Sequence, residues 1–146
     1  MPLFLGWFIA RRRSVSWRLF AIGAATFILA QIVHIPFNYW VLNQWLAELS
    51  FSSQWTQLIV TAVFLGLSAG FFEEGTRYLA YRFWAKDART WGSGLMMGAG
   101  HGGVESILLG IVGALNITIL VGYGSGYFQD LIPSEQAPQV EQALEL

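Results

Sequence analysis

WTQLIVTAVFLGLSAGFFEEGTRYLAYR (residues 55–82) decides the fold, because it joins a long apolar run to a pair of glutamates and an arginine. A bilayer core of roughly 30 Å needs about 20 apolar residues of helix, and this stretch supplies them. Two comparable stretches run from Trp17 to Trp40 and from Trp91 to Tyr123. The sequence therefore predicts an all-α, polytopic membrane protein with three full transmembrane helices over residues 17–40, 55–82 and 91–123.

The composition excludes several classes of protein. Hydrophobic residues make up 55% of the chain and charged residues only 12%, and a soluble domain of this size could not bury that much apolar surface. With a net charge of −1 and no basic block longer than residues 11–13, nucleic acid is not an expected partner. The absence of cysteine leaves His, Asp, Glu and Asn as the ligands for any metal ion.

The N-terminal stretch MPLFLGWFIA is apolar but about half the length needed to cross a bilayer. Its positive charge follows the apolar run, whereas a secretory signal carries positive charge before it. We expect a partial helix over residues 1–10, the end of a transmembrane helix whose start is absent or lies in the interface. The whole of 1–146 is expected to be one transmembrane domain and a fragment of a larger helical bundle, with a polar tail over residues 128–146 in which Ser134 could begin a short helix.

Positive charge is found at or near the two turns that precede the second and fourth helical stretches. The residues concerned are Arg11, Arg12, Arg13, Arg18, Arg77, Arg82, Lys86 and Arg89. The positive-inside rule places both turns in the cytoplasm of a multi-pass cell-membrane protein, expected to be prokaryotic. Residues 41–54 and the tail contain no Lys or Arg and are expected outside. Each Trp lies near a predicted helix end, as is typical of side chains that prefer the lipid headgroup layer.

Ionisable residues inside the spans are the functional candidates, because a charge at mid-depth costs at least ~2.5 kcal/mol. Glu73, Glu74 and Arg77 lie in the second span, and His101 and Glu105 lie in the third. Glu73 and Arg77 share a helix face, while Glu74 is turned by about 100°. His101 and Glu105 have the same spacing, which suits two ligands of one metal ion.

Depth in the bilayer predicts which of these groups can meet. At about 1.5 Å per residue, Glu73 lies roughly 14 Å from Arg82 and His101 roughly 15 Å from Trp91, so the two should be level. On the same scale Glu105 and His34 lie roughly 21 Å and 24 Å deep, in a second layer. Asn38 should lie still nearer the outer interface, beyond a kink at Pro36. His34 and Asn38 therefore rank below the other candidates.

Three less specific interpretations remain open. Glu73 and Arg77 could form a structural salt bridge, and His101 could be a hydrogen-bonded packing residue in a non-catalytic scaffold that binds a peptide or partner. Intramembrane acids also mark ion pathways, but the outer half of the second span offers only Thr61 as a polar lining, so this interpretation ranks last.

Small-xxx-small spacing predicts close helix packing, and the glycines concerned are Gly94, Gly98, Gly100, Gly102 and Gly103.

Three motifs resemble those of the YhfC-type intramembrane metallopeptidases, a group similar in its paired glutamates and arginine to the CAAX-prenyl and bacteriocin-processing proteases. They are FFEEGTRYLAYR (71–82), MMGAGHGGVES (96–106) and QIVHIPFN (31–38), and the resemblance covers roughly residues 10–125. It implies a glutamate-and-histidine metal site in the bilayer that hydrolyses a peptide bond. The match carries Glu73, Glu74, Arg77, His101 and Glu105, with His34 and Asn38 as possible additions.

Two features depart from the resemblance. Members of the family are longer, with a later His-bearing helix that C-terminal segments or a partner chain would supply. The related CAAX proteases usually have EExxxR where this chain has EExxR.

The expected chemistry is metal-assisted hydrolysis of a membrane protein or peptide by zinc. His101, Glu105 and one of the paired glutamates, Glu74, would hold the ion, with His34 and Asn38 as secondary candidates. Glu73 is the preferred general base, although the sequence does not fix which glutamate takes the proton. Arg77 would orient that glutamate or polarise the substrate carbonyl. The HExxH motif of soluble zinc proteases is absent.

Overall fold

The computed structural model describes residues 1–46, 48–51 and 53–127, and all regular structure in these ranges is helical. Its α-helices are α1 (Pro2–Arg13), α2 (Trp17–Val41), α3 (Gln54–Phe83) and α4 (Trp91–Gly124). The chain divides into two units, the first Met1–Glu105 and the second from Ser106 onward. Every candidate site residue belongs to the first unit. The tail over 128–146, including the expected helix start at Ser134, lies outside the described residues.

Three of the helices are long and apolar enough to cross a membrane. They are Trp17–Leu46, Gln54–Phe83 and Trp91–Gly124, with mean hydropathies of 1.8, 1.6 and 2.1. Large apolar side chains such as Ile32, Leu67 and Phe71 are exposed on their surfaces, as expected of helices solvated by lipid. The prediction of three full spans is confirmed.

The first two helices are longer than the sequence indicated. Residues 11–13 were expected to follow α1, but the helix includes them and ends at Arg13, before the C-cap Ser14, whose φ of 52° is left-handed. Cationic side chains in a last turn are favoured by the helix dipole. Beyond α2, a π-helical turn over Leu42–Leu46 replaces the start of the expected loop, and the N–H of Leu42 donates to carbonyls of the preceding turn.

Backbone packs directly on backbone where α2 crosses α4. A Cβ added to Gly23 would collide with the carbonyl of Met97, and one added to Gly100 would collide with the carbonyl of Phe20. These two glycines therefore let the helices approach more closely than any side chain would allow. By contrast, a Cβ at Gly98 would meet no atom within 4 Å. The contact brings the segment that carries His101 against α2.

We expect Gly100→Ala to destabilise the protein and Gly98→Ala to stabilise it slightly. The new methyl at position 100 must displace backbone, for which overpacking costs of about 1–3 kcal/mol are typical. At position 98 the same methyl has open space, so the higher helix propensity of Ala should add up to about 1 kcal/mol. Thermal unfolding in detergent, followed by circular dichroism, measures both changes. Equal shifts for the two variants would contradict the packing described here.

Candidate functional site

His101 of α4 and Glu73 of α3 face each other inside the first unit. The His101 Nε2 atom lies 3.6 Å from Oε2 of Glu73. His101 is only 4% exposed, whereas the Glu73 side chain retains 20% exposure. The structure thus brings together, from two helices, the two groups that the depth argument placed at one level.

Arg77 connects the two neighbouring glutamates. Its Nη2 lies 3.0 Å from Oε1 of Glu74 and 3.7 Å from Oε2 of Glu73. The closer pairing is with Glu74, whose side chain is 70% exposed. Glu74 therefore points away from His101 and toward the open surface of α3, while Glu73 stands between the arginine and the imidazole.

Thr26 of α2 determines which nitrogen of His101 carries the proton. The Thr26 hydroxyl lies 2.6 Å from the carbonyl oxygen of Gly23 and 2.9 Å from Nδ1 of His101. A hydroxyl has one proton, and the carbonyl can only accept, so the hydroxyl donates to Gly23. It then accepts a hydrogen bond from Nδ1–H of His101. In the neutral imidazole, this tautomer leaves the Nε2 lone pair directed toward Glu73.

The free nitrogen is also buried. Among the described residues, Nε2 of His101 has no hydrogen-bond partner and is inaccessible to solvent. The ring is held from a further side by Phe27, whose ring meets it edge-on with centroids 5.4 Å apart. A buried acceptor without a partner costs roughly 1–3 kcal/mol, so a group that bound this lone pair would stabilise the arrangement.

The spacing of His101 and Glu73 fits two ligands of one metal ion. At Zn–N and Zn–O distances of about 2.1 Å and a tetrahedral angle, two ligand atoms lie about 3.4 Å apart. The observed 3.6 Å is close to that separation. In the described part of the chain, however, no group of three or more His, Cys, Asp or Glu side chains is arranged to hold a metal ion. The donor chemistry fits at this pair, and the other ligands would have to come from elsewhere.

Glu105 lies one turn beyond His101 on α4 and is partly buried. Within residues 1–46, 48–51 and 53–127 it forms no ion pair. It shares the helix face of His101, as its spacing predicts. Glu105 therefore stays a candidate ligand.

His34 and Asn38 belong to a separate hydrogen-bonded cluster with Ser68 of α3. Nε2 of His34 lies 2.7 Å from Nδ2 of Asn38 and 3.1 Å from the Ser68 hydroxyl. Ser68 in turn lies 2.9 Å from Oδ1 of Asn38, and Nδ1 of His34 lies 3.4 Å from the side-chain oxygen of Gln31. Both ring nitrogens of His34 thus have polar neighbours, which is the pattern of a packing histidine that joins α2 to α3.

Sequence reasoning did not single out Thr26 or Ser68. Both are small polar residues in apolar runs, and both carry a hydroxyl that reaches a histidine on another helix. One signal was available for Thr26, because it lies one turn after Gly23, the residue at which α2 meets α4. Ser68 directly follows the outer half of the second span, in which only Thr61 was considered as a polar residue.

Comparison with known proteins shows the family to which the chain belongs. The whole chain, residues 1–146, matches the family model described as YhfC intramembrane metalloprotease. A Bacillus subtilis (strain 168) protein named "Uncharacterized membrane protein YhfC" is 35% identical over 145 residues, covering 95% of this chain and 54% of that protein. The chain thus spans about half the length of this curated relative, and no solved structure matches it. Because the family model covers the entire chain, the chain belongs to the YhfC intramembrane metalloprotease family.

Proposed function

We propose that this chain carries part of the active site of a metal-dependent peptidase that cleaves a peptide bond within or near the bilayer. One observation carries the proposal: a buried histidine nitrogen, freed by the hydrogen bond of Thr26, faces the carboxylate of Glu73. A histidine kept only for packing would have both ring nitrogens engaged, as His34 does.

We propose zinc as the ion, because imidazole and carboxylate donors without thiolate suit it. His101 would hold it through Nε2 together with Glu105 of α4. Glu74 would instead anchor Arg77, with which it pairs on the exposed side of α3. When bound, such an ion makes water acidic enough to lose a proton near neutral pH and polarises a peptide carbonyl.

The spacing of Glu73 from His101 would also suit a metal ligand, but we assign Glu73 the role of accepting the proton of the attacking water. Its Oε2 is the carboxylate oxygen that faces Nε2 of His101. Nη2 of Arg77 lies 3.7 Å from the same oxygen and would keep the carboxylate oriented. Because Arg77 holds Glu74 more closely, its guanidinium is anchored, and the positive charge would also stabilise an oxyanion that forms nearby.

The substrate class that fits is a membrane protein or peptide. The site lies on helices that are long and apolar enough to span a membrane, and the exposed side of Glu74 and the partly exposed side chain of Arg77 mark its open face. A substrate segment would approach from this face of α3.

The test is the metal content per chain after purification in detergent, for wild type, His101→Ala and His34→Ala. Both variants remove an imidazole from a buried position. A difference in metal content between them therefore reports the role of the residue and not the loss of a buried side chain. We expect about one zinc per chain in the wild type, loss of the ion in His101→Ala and retention in His34→Ala. Absence of metal from the wild type, or its retention in His101→Ala, would instead support a scaffold in which the polar groups hold helices together.

A further inference from the structure

A second polar site lies away from His101, where the α1–α2 turn meets the α3–α4 turn. A cavity of about 640 Å³ opens there. Its cationic lining residues are Arg13 and Arg18 from the first turn and Lys86 from the second, against a single acid, Asp87. None of the proposed peptidase residues lines it.

The cavity is built by contacts between its two turns. Nη2 of Arg18 donates to the carbonyl of Trp84 at 2.8 Å, which fixes one guanidinium at the wall and ties the turns together. A guanidinium has five N–H groups, so within the described part of the chain Arg18 keeps others that an anion could accept from. Clustered positive charge alone would satisfy the positive-inside rule on an open surface, whereas here it lines a concave site.

Two helix N-termini add to the positive potential of this cavity. Ser16 caps α2, and its side chain accepts from the N–H of Arg18. Thr90 precedes α4, and its side chain accepts from the N–H of Ser93. Both hydroxyl residues line the cavity, so the positive ends of two long helix dipoles meet there with the cationic side chains. The Ser16 hydroxyl can also donate a hydrogen bond to a phosphate oxygen.

The rim of the cavity is apolar and exposed. Phe83 and Trp84, at the end of α3, line it and are 62% and 48% exposed. Exposed aromatic side chains at the end of a membrane-spanning helix are typical of the headgroup layer. A soluble phosphate ester would make no use of this surface, whereas the first methylenes of an acyl chain would cover it.

We propose that this cavity binds the phosphate headgroup of an anionic phospholipid, with the acyl chains passing along Phe83 and Trp84. Basic pockets between transmembrane helices are suited to such headgroups. The site is independent of the proposed peptidase function and does not require it to be correct.

The chain provides a matched control for the test. Arg11 and Arg12 belong to the same basic stretch as Arg13, but their guanidinium groups lie over the rings of Trp7 and Phe8 and neither lines the cavity. Arg13→Gln/Lys86→Gln and Arg11→Gln/Arg12→Gln therefore remove the same charge from inside and outside the site. Arg18 is left intact because it links the two turns.

Native mass spectrometry of the full chain in neutral detergent, titrated with phosphatidylglycerol or phosphatidylcholine, measures the preference. Each Lys or Arg near an anionic lipid surface contributes about a factor of five in affinity. We expect the wild type to prefer phosphatidylglycerol, the Arg13/Lys86 variant to lose about 25-fold in affinity for it, and the Arg11/Arg12 variant to lose much less.

The proposal is overturned if the wild type shows no preference, or if both double variants lose affinity equally, which would indicate a diffuse charge effect. Glycerol phosphate tests whether the cavity instead binds a soluble phosphate ester. We expect it to compete with phosphatidylglycerol only at a large excess. Competition at equal concentration would overturn the assignment to lipid and indicate a soluble phosphate ester. Circular dichroism of each variant verifies that the helices are retained.

Discussion

Glu73→Gln is expected to lower peptide hydrolysis by about 10²–10⁴-fold, the usual contribution of a general base. The substitution keeps the size of the side chain and removes its ability to take a proton. Glu73 is the residue at which the effect should be largest, because its Oε2 faces Nε2 of His101. The measurement is quantitative proteomics of new N-termini in membranes from cells that produce the wild type or the variant.

Glu74→Gln is the matched control for Glu73→Gln. Its carboxylate is paired with Arg77 at 3.0 Å and is 70% exposed, so it lies outside the space between Glu73 and His101. We expect a smaller loss of hydrolysis, arising from a less firmly anchored Arg77. A larger loss in Glu74→Gln than in Glu73→Gln would exchange the two roles and contradict the assignment of the base.

Thr26→Val is expected to weaken metal binding by about 10–100-fold, although Thr26 would not touch the ion. Groups that hydrogen-bond the second nitrogen of a ligating histidine have effects of this size. Valine matches the shape of threonine but cannot accept from Nδ1–H, so the tautomer with a free Nε2 loses its support. Titration with zinc in a competing chelator measures the affinity.

Thr26→Ser restores the hydroxyl and should restore most of the affinity. The ¹⁵N shifts of the His101 ring provide a readout that a loss of packing alone would not move, because they report which nitrogen carries the proton. We expect protonated Nδ1 in wild type and Thr26→Ser, and a mixture of tautomers in Thr26→Val. If the Thr26→Val and Thr26→Ser variants bind zinc equally well, the Thr26 hydroxyl does not position His101.

Most of the fold could be predicted from the sequence, since the length of an apolar run is set by bilayer thickness. The meeting of His101 with Glu73 could also be anticipated, because helical rise from an interfacial anchor gives depth directly. Depth does not give the rotation of a helix about its own axis. The sequence therefore could not tell that Glu73 faces the histidine while Glu74 turns toward the surface.

The two histidines show the limit of such reasoning most clearly. His34 and His101 both appear as polar residues in apolar helices, each with a polar side chain one turn later. Only the contacts of Ser68 and Thr26 distinguish them, and these hydroxyls come from other helices. Which hydroxyl reaches which ring depends on where glycines allow two backbones to touch, as at Gly23 and Gly100.

That backbone contact also determines which motions the first unit can make. Sliding α2 past α4 by one residue would drive a side chain into an opposing carbonyl, so the two helices resist axial displacement and carry Thr26 and His101 as one rigid body. In α3, by contrast, Gly66, Gly70 and Gly75 have open space around them. Separating Glu73 from His101 would require α3 to move against α2, to which the hydrogen bonds of Ser68 with His34 and Asn38 hold it.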